Sequence, residues 1–120
     1  MKKLTKAEEQ VMMVLWDLGS GLLMELVEAM PEPKPHKNTV ATILKILVDK
    51  EFVKIETIGR FHRYHPALSK ESYSTKSLVS IVTDYFEGSF SNAVSHMVNR
   101  NKLSINDLEL LLKQLKRKDK

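Results

Sequence analysis

At 120 residues, with 42% hydrophobic and 28% charged side chains, the chain has the size of one ordinary domain or of a small domain with an appended oligomerisation segment, and its composition is that of a folded protein rather than a disordered one. The absence of cysteine excludes disulfides, thiolate metal clusters and thiol redox sensing, and no apolar run approaches the roughly 18 residues of a membrane-spanning helix. The formal charge of +4 is unevenly distributed: residues 7–33 hold six acids and no Lys or Arg, whereas residues 34–65 hold seven bases against three acids, a polarity that suits a phosphate-bearing partner.

Met1-Lys2-Lys3 leads directly into Leu4-Thr5-Lys6-Ala7-Glu8 without the apolar stretch of a signal peptide, so the expected location is cytoplasmic. Thr5 and Glu8 have capping-box spacing, in which a hydroxyl and a carboxylate satisfy open N–H groups at a helix start. A first helix is predicted to about Leu18, with Val11, Val14, Leu15 and Leu18 as its apolar stripe, and it ends at Gly19-Ser20-Gly21, where glycine tolerates left-handed backbone. A second helix over about Leu23–Met30 buries Leu23, Leu26, Val27 and Met30 and exposes Glu25 and Glu28. It stops at Pro31-Glu32-Pro33-Lys34-Pro35, a stiff connector in which three prolines withhold the N–H that a helix needs.

A third helix, about Lys37–Lys50 with His36 or Lys37 at its N-cap, splits into two faces. Val40, Ile43, Leu44, Leu47 and Val48 fall at i, i+3, i+4, i+7 and i+8, while Asn38, Thr42 and Lys45 point the other way. Phe52–Thr57 alternates and is β-branched, Gly59 permits a tight turn, and Phe61–His65 returns toward Pro66, so a β-hairpin follows with Arg60 at its tip. Helix, turn, helix and hairpin in this order form a winged helix-turn-helix. In that motif the second helix enters the major groove, which makes Lys37, Asn38, Thr39, Thr42 and Lys45 the expected readers. Arg60 and, second to it, Arg63 are the expected wing contacts to phosphate or a narrow minor groove.

From Ser69 onward the pattern is wholly helical. Leu78, Ile81, Val82 and Tyr85 line a fourth helix. Phe90, Ala93, Val94, Met97 and Val98 line a fifth behind a Ser89 cap, and Leu108, Leu111, Leu112 and Leu115 line a sixth ahead of a basic tail. Some 50 residues of short helix rarely bury enough apolar surface alone. These faces either fold back on residues 1–68 or meet a second copy. The second is expected, since the N-terminal part has a core of its own and two-fold homodimers are the commonest oligomer. The predicted dimer interface is Leu78, Ile81, Val82, Tyr85, Phe90, Val94, Met97, Leu108, Leu111, Leu112 and Leu115.

Other chemistry finds little support. His62 and His65 lie three apart on a strand and so point to opposite faces, the return strand has no Asp or Glu, and His36 and His96 are isolated, so no metal site is expected. No Gly-rich phosphate loop, G-x-S-x-G or H-E-x-x-H is present, and neither enzyme activity nor a cofactor is expected. Trp16 sits inside the first helix, far from the basic segment, as a core residue rather than a stacking platform.

The same residues resemble the BlaI/MecI-type, or penicillinase repressor, family of transcriptional regulators. Leu4-Thr5-Lys6-Ala7-Glu8 with Val14-Leu15-Trp16 resembles its opening helix, Asn38-Thr39-Val40-Ala41-Thr42-Ile43-Leu44 its recognition helix, and Gly59-Arg60 with Arg63-Tyr64-His65-Pro66 its wing. Phe86-Glu87-Gly88-Ser89-Phe90 and Leu103-Ser104 with the closing leucines are similar to its dimerisation region. The resemblance implies a homodimer that blocks transcription from a dyad-symmetric operator on double-stranded DNA, with a membrane sensor peptidase as a possible partner. Cleavage in the family falls at an Asn-Phe bond, for which this chain has His96-Met97. Ile46 stands where relatives usually show Arg, Glu51 where they show Gly after the recognition helix, and His62 where an aromatic is common. The copper-responsive relatives rely on C-terminal cysteines, absent here.

The expected architecture is thus mostly α with a small β-hairpin: a winged helix-turn-helix over residues 1–68 and a three-helix dimerisation region over 69–120, without membrane insertion. The competing expectation is a winged-helix module that binds protein through the same surface. An RNA-binding role is weaker, because no aromatic residues are arrayed on an exposed sheet for base stacking.

Overall fold

The computed structural model describes residues 3–118, apart from the side chains at positions 115, 117 and 118. Its elements run α1 (Lys6–Leu18), β1 (Gly21–Leu22), α2 (Leu23–Ala29), α3 (Lys37–Asp49), β2 (Val53–Ile58), β3 (Phe61–Pro66), α4 (Lys70–Tyr85), α5 (Phe90–Asn99) and α6 (Ile105–Lys118). The chain forms two compact units, Met1–Lys76 and Ser77–Lys120.

In the first unit, α1 starts as its sequence dictates. Thr5 Oγ1 accepts from the Glu8 amide at 3.2 Å, and Glu8 Oε1 accepts from the Thr5 amide at 3.0 Å. The helix ends at Gly19, whose φ of +84° places it in left-handed space while its N–H reaches the Leu15 carbonyl at 2.8 Å. The buried stripe is rotated from the predicted one. Val11, Met12 and Leu15 are buried, Val14 is half-buried and Leu18 is exposed, because both α2 and α3 pack against α1 and draw Met12 inward. Leu26, Val27, Met30, Val40, Leu44, Leu47, Phe52 and Val53 complete the core. Each such large side chain withdrawn from water contributes about 1.5–3 kcal/mol before entropy is counted.

The hairpin is joined by a strand that the periodicity did not disclose. The sheet order is β1-β3-β2, all antiparallel, with Gly21 opposite Tyr64 and Leu22 opposite Arg63. Two residues are too few to show alternation, and β1 exists because it completes the hydrogen bonding of β3. β2 and β3 pair from Val53↔Pro66 to Ile58↔Phe61, leaving Gly59-Arg60 as a two-residue turn with Gly59 at φ +61°.

The last turn of α3 closes with two bonds: the Glu51 amide to the Val48 carbonyl at 3.0 Å, and the Phe52 amide to the Leu47 carbonyl at 2.9 Å. This arrangement requires left-handed backbone at Glu51, which has φ +68°. Past α3, Leu68 and Tyr73 still belong to the first unit: Trp16 Nε1 donates to the Leu68 carbonyl at 2.9 Å, and the Tyr73 ring lies 5.5 Å from Trp16 and 5.8 Å from Phe52. Trp16 is therefore a packed residue with its indole N–H satisfied.

In the second unit, Ser89 caps α5 by accepting from the Asn92 amide at 3.1 Å. Ser104 and Asp107 form a reciprocal cap on α6 at 3.0 and 3.1 Å. The bond from the Ser104 amide holds the Asp107 carboxyl below its ordinary value. Val82 is buried, whereas Leu78, Ile81, Tyr85, Phe90, Val94, Met97, Leu111 and Leu112 are exposed on the single chain.

Candidate nucleic-acid interface

Asn38, Thr42 and Lys45 emerge on one side of α3, and Lys37 and Thr39 flank them in its exposed first turn. All five are exposed, while Val40, Leu44 and Leu47, opposite Asn38, Thr42 and Lys45, are at 0% exposure. The helix begins at His36, whose Nδ1 accepts from the Asn38 amide at 3.1 Å, so the Asn38 side chain is left to point outward. Thr42 is only partly available for polar contacts: its hydroxyl donates to the Asn38 carbonyl at 2.9 Å, which commits the proton and leaves the oxygen able to accept.

The bases of residues 34–65 separate into two groups. Lys34 Nζ donates to the Glu28 carbonyl and lies 3.9 Å from the Glu28 carboxylate. Lys50 Nζ bonds Glu8 Oε1 at 2.6 Å and the Lys3 carbonyl at 3.1 Å, with the Glu8 side chain only 6% exposed. The bond from Lys50 holds the Glu8 carboxyl below its ordinary value, against the opposing pull of burial. Among the described residues Lys37, Lys45, Lys54 and Arg60 have no such partner, so the open positive charge stands on α3 and the wing.

Arg60 is exposed in the turn that Gly59 makes possible. Arg63, the expected second wing contact, has partners within the chain. Its Nη1 donates to Ser20 Oγ at 3.1 Å and its Nη2 lies 3.9 Å from Glu25 Oε1, while Glu25 also accepts from the Leu22 amide at 2.7 Å. The guanidinium is placed there because β1 pairs with β3 at Leu22↔Arg63, so it ties the wing to the start of α2. Nothing in the local sequence marked this bond, since it depends on the unforeseen β1.

The histidines of β3 go separate ways: His65 Nε2 meets Glu56 Oε1 at 2.9 Å, and His62 lies 3.4 Å from Thr57 Oγ1 on the other face. Among the described residues no group of three or more His, Asp or Glu side chains could hold a metal ion, and no helix is long and apolar enough to cross a membrane. Val82, predicted for the dimer face, is 1% exposed within the single chain and is taken up by intrachain packing. Leu108 is half-buried, and the Leu115 side chain lies outside the described residues.

A helix with one closed and one polar face, followed by a hairpin with a cation at its tip, defines a winged-helix DNA-binding protein. The chain belongs to the penicillinase repressor family, whose profile matches residues 4–117. It is a DNA-binding transcriptional repressor, of a family of regulators and not of enzymes. Among solved structures it is similar to the CopR repressor, at 35% identity and a TM-score of 0.48 over 57% of this chain and 100% of that one. It is also similar to BpsR of Bordetella bronchiseptica, whose structure concerns regulation of DNA binding by 6-hydroxynicotinic acid, at 19% identity and a TM-score of 0.49 over 98% of this chain and 76% of that one. No curated protein matches the chain.

Proposed function

We propose that the chain represses transcription as a cytoplasmic homodimer bound to a dyad-symmetric operator. Residues 1–68 carry the DNA surface, with Lys37, Asn38, Thr39, Thr42 and Lys45 toward the major groove and Arg60 toward the backbone or minor groove. Arg63 acts through its bonds to Ser20 and Glu25, setting the wing against α2. The helices after residue 68 pair two copies through Leu78, Ile81, Tyr85, Phe90, Val94, Met97, Leu108, Leu111 and Leu112, so that two copies of α3 sit one helical turn apart, roughly 34 Å. Repression is then steric.

The observation that carries this reading is the outward polar face of α3, with exposed residues able to bond bases or phosphates set on a helix whose Val40, Leu44 and Leu47 are wholly buried on the other side. Relief by a membrane sensor peptidase belongs to the same proposal, and its test is whether a gene for such a peptidase lies beside this one. The main test is binding of the full chain to the promoter DNA upstream of its own gene. Binding that survives excess unrelated DNA and weakens steeply with salt is expected, since each neutralised phosphate adds about −0.9 to the logarithmic salt slope. Salt-insensitive binding without sequence preference overturns the reading in favour of a protein-interaction module.

A further inference from the structure

On a helix of 3.6 residues per turn, Asn38, Thr42, Lys45 and Asp49 fall within one arc, and Ile46 falls beside Thr42 at the edge of that arc, away from Val40, Leu44 and Leu47. Ile46 is accordingly 38% exposed, where those three are at 0%. It is the only large apolar side chain among the exposed residues of α3. Isolated apolar side chains are ordinary on protein surfaces, so position decides what this one does. Its neighbours on the face are the groups proposed above to meet bases and phosphates.

Thr42 and Ile46 are four apart and therefore adjacent on the helix surface. Because the Thr42 hydroxyl donates to the Asn38 carbonyl at 2.9 Å, the γ-methyl is the part of that side chain without a hydrogen-bond role. Thus Thr42 and Ile46 make a small apolar strip along the edge of the arc that holds Asn38 and Lys45. From Asn38 to Ile46 the helix rises about 12 Å, comparable to the roughly 12 Å width of the major groove, so both ends of the strip can lie within it. Asp49, nearly a turn beyond, is exposed and carries a charge that phosphate repels.

Among base edges in the major groove, only thymine presents an apolar group, its 5-methyl. We infer that Ile46, beside Thr42, is a specificity-determining residue that contacts a thymine 5-methyl in each operator half-site. The inference rests on the DNA-reading role proposed for α3.

The test uses the full chain and an operator selected by it from random-sequence duplexes. Each thymine is replaced singly by deoxyuridine, which removes the methyl and nothing else. At one or two thymines per half-site, wild-type affinity is expected to fall about 3- to 10-fold. Ile46→Ala should bind the unmodified operator more weakly by a similar factor and no longer distinguish thymine from deoxyuridine at those positions. The inference is overturned if no deoxyuridine substitution alters wild-type binding, or if Ile46→Ala keeps the wild-type sensitivity. A chain that selects no sequence at all overturns the DNA-reading role itself, a separate outcome from a selected operator indifferent to its methyl groups.

Discussion

In α1, α2 and α3 the side chains at helical spacing close upon one another, and Met12, Leu15, Leu26, Val40, Leu44 and Leu47 all reach 0% exposure. In α4, α5 and α6 most side chains of the same kind at the same spacing stay open, from 37% for Val98 to 77% for Tyr85, while Val82 is buried at 1% and Ala93 and Leu108 are half-buried. The periodicity is equally plain in both regions, so periodicity alone says that a face needs cover and not what covers it. The first unit supplies its own cover because three helices and a sheet converge on one centre. The second has helices and no sheet, and so small a unit leaves apolar surface for which another copy of the same surface is a suitable partner.

Matched truncations sharpen this difference. Leu44→Ala opens a cavity in a closed core and is expected to cost about 2–5 kcal/mol in denaturant unfolding. Leu111→Ala removes a side chain that is 44% exposed on the single chain. It should leave unfolding nearly unchanged at concentrations where the chain is monomeric, and weaken it only where dimers form. Equal losses for both variants under monomeric conditions would break the comparison.

The Glu8–Lys50 pair tests whether the first unit is also closed electrostatically. Lys50→Met leaves a nearly buried carboxylate without its cation and is expected to cost about 3 kcal/mol at neutral pH. The pH dependence has a definite sign. The folded protein holds the Glu8 carboxyl below its ordinary value, so the stabilisation is fully present above the unfolded glutamate value of about 4.3 and is lost as pH falls through the lower folded value. Urea midpoints across that acid range should fall less steeply in Lys50→Met than in wild type, and parallel profiles would show that the pair contributes nothing.

On the open side, Leu112→Asp puts a charge onto the exposed leucine face and should raise the dimer dissociation constant at least about 100-fold by sedimentation equilibrium, with the single chain still folded. Unchanged dimers would remove α6 from the proposed interface. On the DNA side, Lys45→Ala is expected to lower operator affinity about 10-fold and to reduce the salt slope by about one unit. Thr42→Ala, whose hydroxyl proton is already engaged, should lower it about 3-fold, with dimerisation intact in both variants. Wild-type binding by both would show that α3 does not present this face to DNA.

What could be read from the sequence was whatever depends on near neighbours. The Thr5–Glu8 cap, the glycine stop at Gly19, the split of α3 and the Gly59 turn all follow from residues within four or five positions of each other. Arg63 with Ser20 and Glu25, and Lys50 with Glu8, were not legible, because their partners lie about 40 residues away and β1 is too short to show alternation. Met12 and Leu18 exchanged places in the α1 stripe for a related reason: a helix approached by two others buries a wider and rotated arc. Ile46 was visible as an oddity of residue type, and its exposure beside Thr42 is what the structure adds.

The smallest expected effect concerns the junction that carries α3 into the wing. Glu51 holds φ +68° so that its own amide and that of Phe52 can close the helix, a conformation that costs a side-chain-bearing residue about 1 kcal/mol and glycine almost nothing. Glycine loses more chain entropy on folding, which offsets part of the gain. Glu51→Gly should therefore stabilise the first unit by about 0.5 kcal/mol, seen as a thermal midpoint raised by a few degrees. Removing an acidic side chain just beyond the reading face should also strengthen DNA binding modestly and most at low salt. A destabilised Glu51→Gly would mean that the Glu51 side chain contributes more to this junction than its backbone conformation costs.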